Sequence, residues 1–305
     1  MAVFLCPAFP FLPSVFNSVI DFYNISALNR HSAQILRDSK LSHARISQEY
    51  EPQLASSRKM LKSIHKTIDE YGTIEVLDDG AKRYLTFGNE HEQSCQIKAQ
   101  PHIPQHEYSR AIMLSLLFCD AKSICVMGLG GGTLVYSFLN ACDDIKIKAV
   151  ELRADVVRVA HRYFALPKHD ERLTVVHSDG LSHIQSNDDN YDLLVADMYH
   201  HHGIDETQMQ RDFLKSCAKR VTKDGWFVLN YWLDHDLNTE ILQQLNHDFE
   251  CLYMCNSGGG NLIIYAGKSL PNADFLLPKN TKTLAKKLGF SLSYYIKRLK
   301  HITAI

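Results

Sequence analysis

The chain has 305 residues, 45% apolar and 22% charged, with Lys+Arg at 33 against Asp+Glu at 34. That length suffices for one large α/β domain or two smaller ones with a sizeable core, and a formal net charge of −1 argues against a dedicated duplex-DNA binder, which carries a basic excess. Eight cysteines form no C-x-x-C pair and mostly sit in apolar runs such as Ser-Ile-Cys-Val-Met (123–127), so buried thiols of a reducing, cytoplasmic compartment are expected rather than a disulfide frame or a metal site.

The first 20 residues carry no charge, but Pro7, Pro10 and Pro13 interrupt them and no basic segment precedes them. Pro costs a helix interior about 3 kcal/mol, so neither a membrane span nor a signal peptide is expected. All 15 glycines lie at Gly72 or later, where average usage of about 7% would put roughly five in the first 71 residues. Residues 1–59 are therefore expected to be a disordered appendage, with a membrane-surface or partner-binding arm as the alternative. A small N-terminal β unit follows over 60–100. Met60–Ile68 has a helical or mixed pattern, Asp79-Gly80 between two alternating runs in 73–87 predicts a hairpin, and a further strand is expected at Ser94–Ile97.

From residue 123 the pattern alternates strand and helix. Strands are expected at 123–128, 146–151, 173–177, 191–197, 225–231, 250–255 and 261–266. Helices are expected at 132–140, 155–163, 181–186, 207–220 and 236–248. The first strands are continuous apolar runs, as in a parallel sheet covered on both faces. The sixth and seventh are joined by the short turn Asn256-Ser-Gly-Gly-Gly-Asn261, which links only antiparallel neighbours. An α/β domain over 101–270 is expected, a seven-stranded doubly wound sheet that resembles the class I methyltransferase version of the Rossmann-like fold. The remaining 271–305 form a basic tail with seven Lys/Arg and no acid from Lys279 onward. Its apolar spacing predicts helices packed on the sheet.

The strongest chemical signal is Val126-Met-Gly-Leu-Gly-Gly-Gly-Thr133, between a strand and a helix. Gly128, Gly130, Gly131 and Gly132 allow a tight turn and close approach to a ligand. The loop is not a Walker loop, and it lacks the G-x-G-x-x-G spacing of a dinucleotide site. Glu151 ends the second strand, where a carboxylate can accept both hydroxyl protons of a ribose. Asp179-Gly180 ends the third, where an acid and its neighbouring amides can reach an adenine, or the acid can cap the next helix. Asp197 ends the fourth. These features are expected to converge on one crevice at the C-terminal edge of the sheet. Trp226 is expected in the core, while Tyr231 or Trp232 is a candidate for the crevice wall.

The segments Arg83-Tyr-Leu-Thr-Phe-Gly, Gln93-Ser94, Glu107-Tyr-Ser-Arg-Ala, the glycine loop, Ala149-Val-Glu-Leu, Ser178-Asp-Gly, Tyr191-Asp-Leu-Leu-Val-Ala-Asp and Gly260-Asn-Leu-Ile-Ile-Tyr-Ala resemble the spermidine synthase-like (polyamine aminopropyltransferase) family over about Tyr71 to Gly267. The resemblance implies decarboxylated S-adenosylmethionine, or a related sulfonium nucleoside, as co-substrate with no permanently bound cofactor. It implies Gln93, Glu151 and Asp179 as nucleoside contacts and Asp197 as the carboxylate that helps deprotonate an attacking amine. Two acids of the family pattern are missing: Gly131 stands where the loop carries Asp, and His200 where a second acid follows the fourth strand. Tyr199, His200 and Asp205 are expected in a loop over the substrate, and Asp205 or Glu206 could restore charge. Three adjacent histidines (200–202) cannot all face one metal from a strand, so no metal is expected. The expected partner is a small-molecule amine, with no nucleic acid; a homodimer is allowed but not required. A methyltransferase using S-adenosylmethionine and a non-catalytic nucleoside-binding relative stay open as alternatives.

Overall fold

A strand covered on both faces must be apolar at every position. Ser123–Met127 meets that demand with Ile124 and Val126 on one side and Cys125 and Met127 on the other, and the two pairs belong to different hydrophobic clusters. The computed structural model describes residues 61–88, 92–200, 203–232, 239–258 and 260–302. The appendage expected over 1–59 lies outside the described residues. Residues 61–305 form one compact unit.

Four antiparallel strands come first: β1 (Lys62–Asp69), β2 (Gly72–Asp78), β3 (Lys82–Thr86) and β4 (Glu92–Ile97), paired in that order. The hairpin read at Asp79-Gly80 is present, because the Asp79 carboxylate accepts from the Ala81 and Lys82 amides and holds the turn. The helical or mixed reading of 60–68 is corrected. Residues 62–68 belong to a strand, β1, which pairs with β2.

A short helix α1 (Glu107–Ile112), absent from the sequence-based expectations, leads into the main sheet. There follow β5 (Ser123–Met127), α2 (Thr133–Ala141), β6 (Lys146–Glu151), α3 (Ala154–Tyr163), β7 (Leu173–His177), α4 (Gly180–Ser186) and β8 (Tyr191–Ala196). A two-residue hairpin, β9 (Tyr199–His200) and β10 (Gly203–Ile204), precedes α5 (Arg211–Arg220), β11 (Val221–Trp232), α6 (Thr239–Asp248), β12 (Cys251–Asn256) and β13 (Asn261–Gly267). Last come α7 (Pro278–Leu288), α8 (Ser293–Ile296) and β14 (Leu299–Ile302).

The sheet order is β14-β12-β13-β11-β8-β5-β6-β7, with β7, β6, β5, β8 and β11 parallel and the other three antiparallel. The chain reverses its direction of travel across the sheet between β5 and β8, the switch point where such sheets bind ligands. Among the described residues the sheet has eight strands rather than seven. The tail, expected to be helical, adds β14 to the β12 edge after two helices, and that pairing satisfies backbone groups that a terminal helix would leave exposed.

The small sheet rests on α3. Ile74, Val76, Leu85 and Phe87 pack with Val156, Val159 and Phe164. The Arg153 guanidinium donates to both Asp69 oxygens, at 3.0 and 2.7 Å, and to the Gly72 carbonyl, while Gln96 donates to the Phe164 carbonyl at 2.6 Å. These bonds fix β4 above the loop that follows β5. No helix among the described residues is long and apolar enough to cross a membrane.

Candidate active site

Parallel register sets the site. Met127 is level with Val150 and with Ala196, and Glu151 with His177. The residues that follow these strand ends therefore gather at one edge, and Gly128, Glu151, Asp179 and Asp197 stand there as the sequence implies.

Gly128 cannot be another residue. Its φ is +94°, and a Cβ would lie 2.1 Å from the Asp197 carbonyl oxygen. The crossing is bonded, since the Gly128 amide donates to Val150 and the Asp197 amide to Met127. Gly131 is confined by side chains instead, with a Cβ 2.9 Å from the Phe164 ring and 3.0 Å from the Ser94 Cβ. Its amide donates to the Ser94 hydroxyl at 2.8 Å. A carboxylate at this position, where the resemblance implies one, would have to displace Phe164 or Ser94. Gly130 lies beside Gln93 and Ser94, and Gly132 against Leu166. Gln93 is half-buried at the edge of the loop.

Glu151 is buried, and its carboxylate accepts from the Leu129 amide at 3.0 Å and the Arg153 amide at 2.9 Å. Burial raises its pKa, against the pull of the Arg153, Leu129 and Gly130 amides. Glu151 therefore shapes the glycine loop as well as offering acceptor positions to a ligand, since a carboxylate has about four of these. Replacing Glu151 with Ala should strip both functions. We expect methylthioadenosine affinity to fall by roughly 1–3 kcal/mol, read by calorimetry, together with a lower Tm; unchanged affinity would remove Glu151 from the site. Asp179 caps α4 through a 2.8 Å bond from the Ser182 amide. Gly180 sits under Met198, whose sulfur would lie 2.5 Å from a Cβ there.

Asp197 accepts at Oδ1 from Asn230 Nδ2 at 2.7 Å. Burial pushes its carboxyl up to about 6, while the Asn230 bond and the charge of His106 pull the other way. A carboxylate so raised is still mostly ionised at neutral pH and is a stronger base than an exposed one. Tyr199 accepts from Asn261 at 3.0 Å, and both Tyr199 and half-buried Tyr108 have their hydroxyls raised by desolvation and by the nearby Asp197 charge. His106 Nδ1 is 3.2 Å from the Tyr108 hydroxyl, and its Nε2 is 2.6 Å from Glu92 Oε1. The Asp205 carboxylate accepts from the Thr207 amide at 2.9 Å and caps a short 3-10 turn. The side chain of His200, and residues 201–202, lie outside the described residues. Trp226 is in the core as expected, and Tyr231 is buried in the cluster on one face of the sheet rather than lining a crevice.

Sequence reasoning missed His106, Tyr108, Glu92, Asn230, Asn261 and Gln208. Tyr108 lay inside a segment already quoted for the family, and Asn230 is a lone amide in the otherwise apolar run Trp226–Trp232.

The spermine/spermidine synthase domain model matches residues 103–257. The chain belongs to the spermine/spermidine synthase family. It is 27% identical over 233 residues to a polyamine aminopropyltransferase of Neisseria meningitidis, covering 74% of this chain and 89% of that protein. It is 25% identical over 244 residues to that of Chromobacterium violaceum, covering 78% and 94%. Among solved structures, spermidine synthase from Thermotoga maritima superposes with a TM-score of 0.62 at 13% identity, over 78% of this chain and 84% of that one. Human methyltransferase-like protein 13 in complex with SAH gives a TM-score of 0.53 at 23% identity, over 60% and 92%. These superpositions show that the chain shares the fold of those two structures.

Proposed function

We propose that the chain transfers an aminopropyl group from decarboxylated S-adenosylmethionine to an amine and releases methylthioadenosine. The observation that carries this reading is a base-capable carboxylate, Asp197, whose backbone lies against Gly128 of a nucleoside-type glycine loop. The loop, Gln93, Glu151, Asp179 and Gly180 hold the nucleoside. Asp197, with Tyr199 beside it, receives the amine. Asp197 takes a proton from the ammonium form of the amine, the neutral nitrogen attacks the carbon next to sulfur, the C–S bond breaks with its electron pair on sulfur, and the product leaves as the alkylated ammonium while Asp197 returns its proton to solvent. A primary amine has a solution pKa of about 10.4, and only its neutral form attacks. A carboxylate of raised basicity makes that deprotonation easier, and holding nitrogen and sulfonium in line supplies much of the rate. Buried thiols such as Cys125 and Cys217 fit a reducing, cytoplasmic setting.

The acceptor is expected to be less cationic than a diamine. A dication needs negative charge at both ends of its site. Gly131 has no room for an acid, Glu92 is engaged by His106, and Asp205 is committed to its turn. Two missing charged contacts at about 1.5–3 kcal/mol each would weaken putrescine by several powers of ten. The check is methylthioadenosine release across a panel of amines. Monoamines or amines with a distant second charge should outrun putrescine, and efficient putrescine turnover would refute the altered-acceptor claim. Running S-adenosylmethionine as donor in parallel tests the methyltransferase alternative, which the shared fold with methyltransferase-like protein 13 keeps in view.

A further inference from the structure

Asp197 is held by a chain of buried amides. Asn230 is 0% exposed and sits on β11, next to β8 in the sheet. Its side chain faces two different partners. Nδ2 donates to Asp197 Oδ1 at 2.7 Å, and Oδ1 accepts from Asn261 Nδ2 at 2.9 Å. Asn261, at the start of β13, also directs Nδ2 to the Tyr199 hydroxyl at 3.0 Å. The assignment of the Asn230 amide is forced, because a carboxylate needs a donor and only the NH2 end can be one. Gln208 closes the network: Nε2 donates to the Asn230 carbonyl at 3.1 Å, and Oε1 accepts from the Met198 amide at 3.2 Å. Gln208 is 0% exposed as well. Three amides from three separate segments thus converge on Asp197, Met198 and Tyr199, the three residues that follow β8. Burying so many polar groups is costly unless each is bonded, and nothing in the sheet's own hydrogen bonding requires them.

We infer that Asn230, fixed in orientation by Asn261, is a positioning residue that clamps Asp197 Oδ1 and leaves Oδ2 as the oxygen that accepts the substrate proton. This rests on the reading of Asp197 as the base. A donor on Oδ1 favours the ionised carboxylate. Removing it therefore raises the Asp197 pKa and moves the acid limb of the rate profile to higher pH. The other groups facing Asp197 are His106 from the segment before α1, Tyr108 on α1 and Tyr199 on β9. The Asn230 side chain is bonded to Asp197 and Asn261 and touches Tyr199 only through the Asn261 amide they share.

The test uses the full chain labelled with carboxyl-13C aspartate, and N230A, N261A and D197N. D197N assigns the Asp197 signal by its disappearance. In N230A the Asp197 midpoint should rise by about one pH unit or more, with methylthioadenosine affinity unchanged. In N261A it should rise by less, because the amide remains but is free to turn. An unmoved or lowered midpoint in N230A overturns the inference. Should N230A not fold, N261A carries the test alone, and a midpoint equal to wild type overturns it. The titration needs no turnover, so a chain inactive as an aminopropyltransferase but showing the shift would sink the proposed function and leave the clamp standing.

Discussion

Replacing Asp197 with Asn is expected to lower amine-dependent methylthioadenosine release by about 100- to 10,000-fold, the range supplied by a positioned general base. The substitution keeps the size of the side chain and can still meet Asn230 by turning its amide, so nucleoside affinity should change little. The pH profile gives a second reading of the same residue. Burial holds the Asp197 carboxyl at about 6. For a group that must be ionised to act, activity is present above that value and falls tenfold per pH unit below it. Wild type should therefore lose kcat/KM as pH drops through about 6. The same raised value implies that ionised Asp197 costs folding stability at neutral pH, relative to an unfolded carboxyl near 3.8. D197N should accordingly be at least as stable as wild type above pH 6, and loss of activity with preserved Tm separates catalysis from folding. Full activity in the variant would remove Asp197 from the chemistry.

Gly128→Ala should be the most damaging single methyl group in the chain. The added carbon would stand 2.1 Å from the Asp197 carbonyl oxygen, in a backbone conformation with φ of +94°. Neither obstacle can be relieved by a rotamer change, because the neighbour is backbone in the central strand pair. Strain at such a position costs about 1–3 kcal/mol and forced overpacking a similar amount, so a loss of about 2–5 kcal/mol in stability is expected. Relief by moving β8 away from the loop would displace Asp197 itself. Thermal melts and methylthioadenosine calorimetry check this together, and a variant with wild-type Tm and affinity would show that the crossing of Gly128 and Asp197 is not the tight point described. Gly131→Ala presses on the Phe164 ring and Ser94 side chain instead, which can yield, so its effect should be smaller.

The contrast between what the sequence disclosed and what it hid is physical. The parallel strands were legible because burial on both faces demands unbroken apolar runs, as in Leu193–Ala196. The glycine loop and the acids at the strand ends were legible because each is a local pattern. β1 was not, since Ile64 and Ile68 are four residues apart and imitate a helix, and only pairing with β2 decides the matter. β14 was hidden for a similar reason: Leu-Lys-His-Ile has little of its own to mark a strand, and its partner β12 lies more than 40 residues earlier by number, at Cys251–Asn256. The resemblance implied an acid where Gly131 stands, and only the fold shows Phe164 and Ser94 against the place a side chain there would take. The Asn230 clamp depends on residues 197, 208, 230 and 261 meeting across three strands and a turn. No spacing in the chain announces that.

The central claim is aminopropyl rather than methyl transfer, and one measurement decides it most directly. The full chain is supplied with decarboxylated S-adenosylmethionine and S-adenosylmethionine together, with the amine panel, and the products are identified by mass spectrometry. The expected result is methylthioadenosine with an aminopropylated amine, absent in D197N. S-adenosylhomocysteine with a methylated amine, or an unchanged nucleoside pool in the presence of every amine, would contradict it.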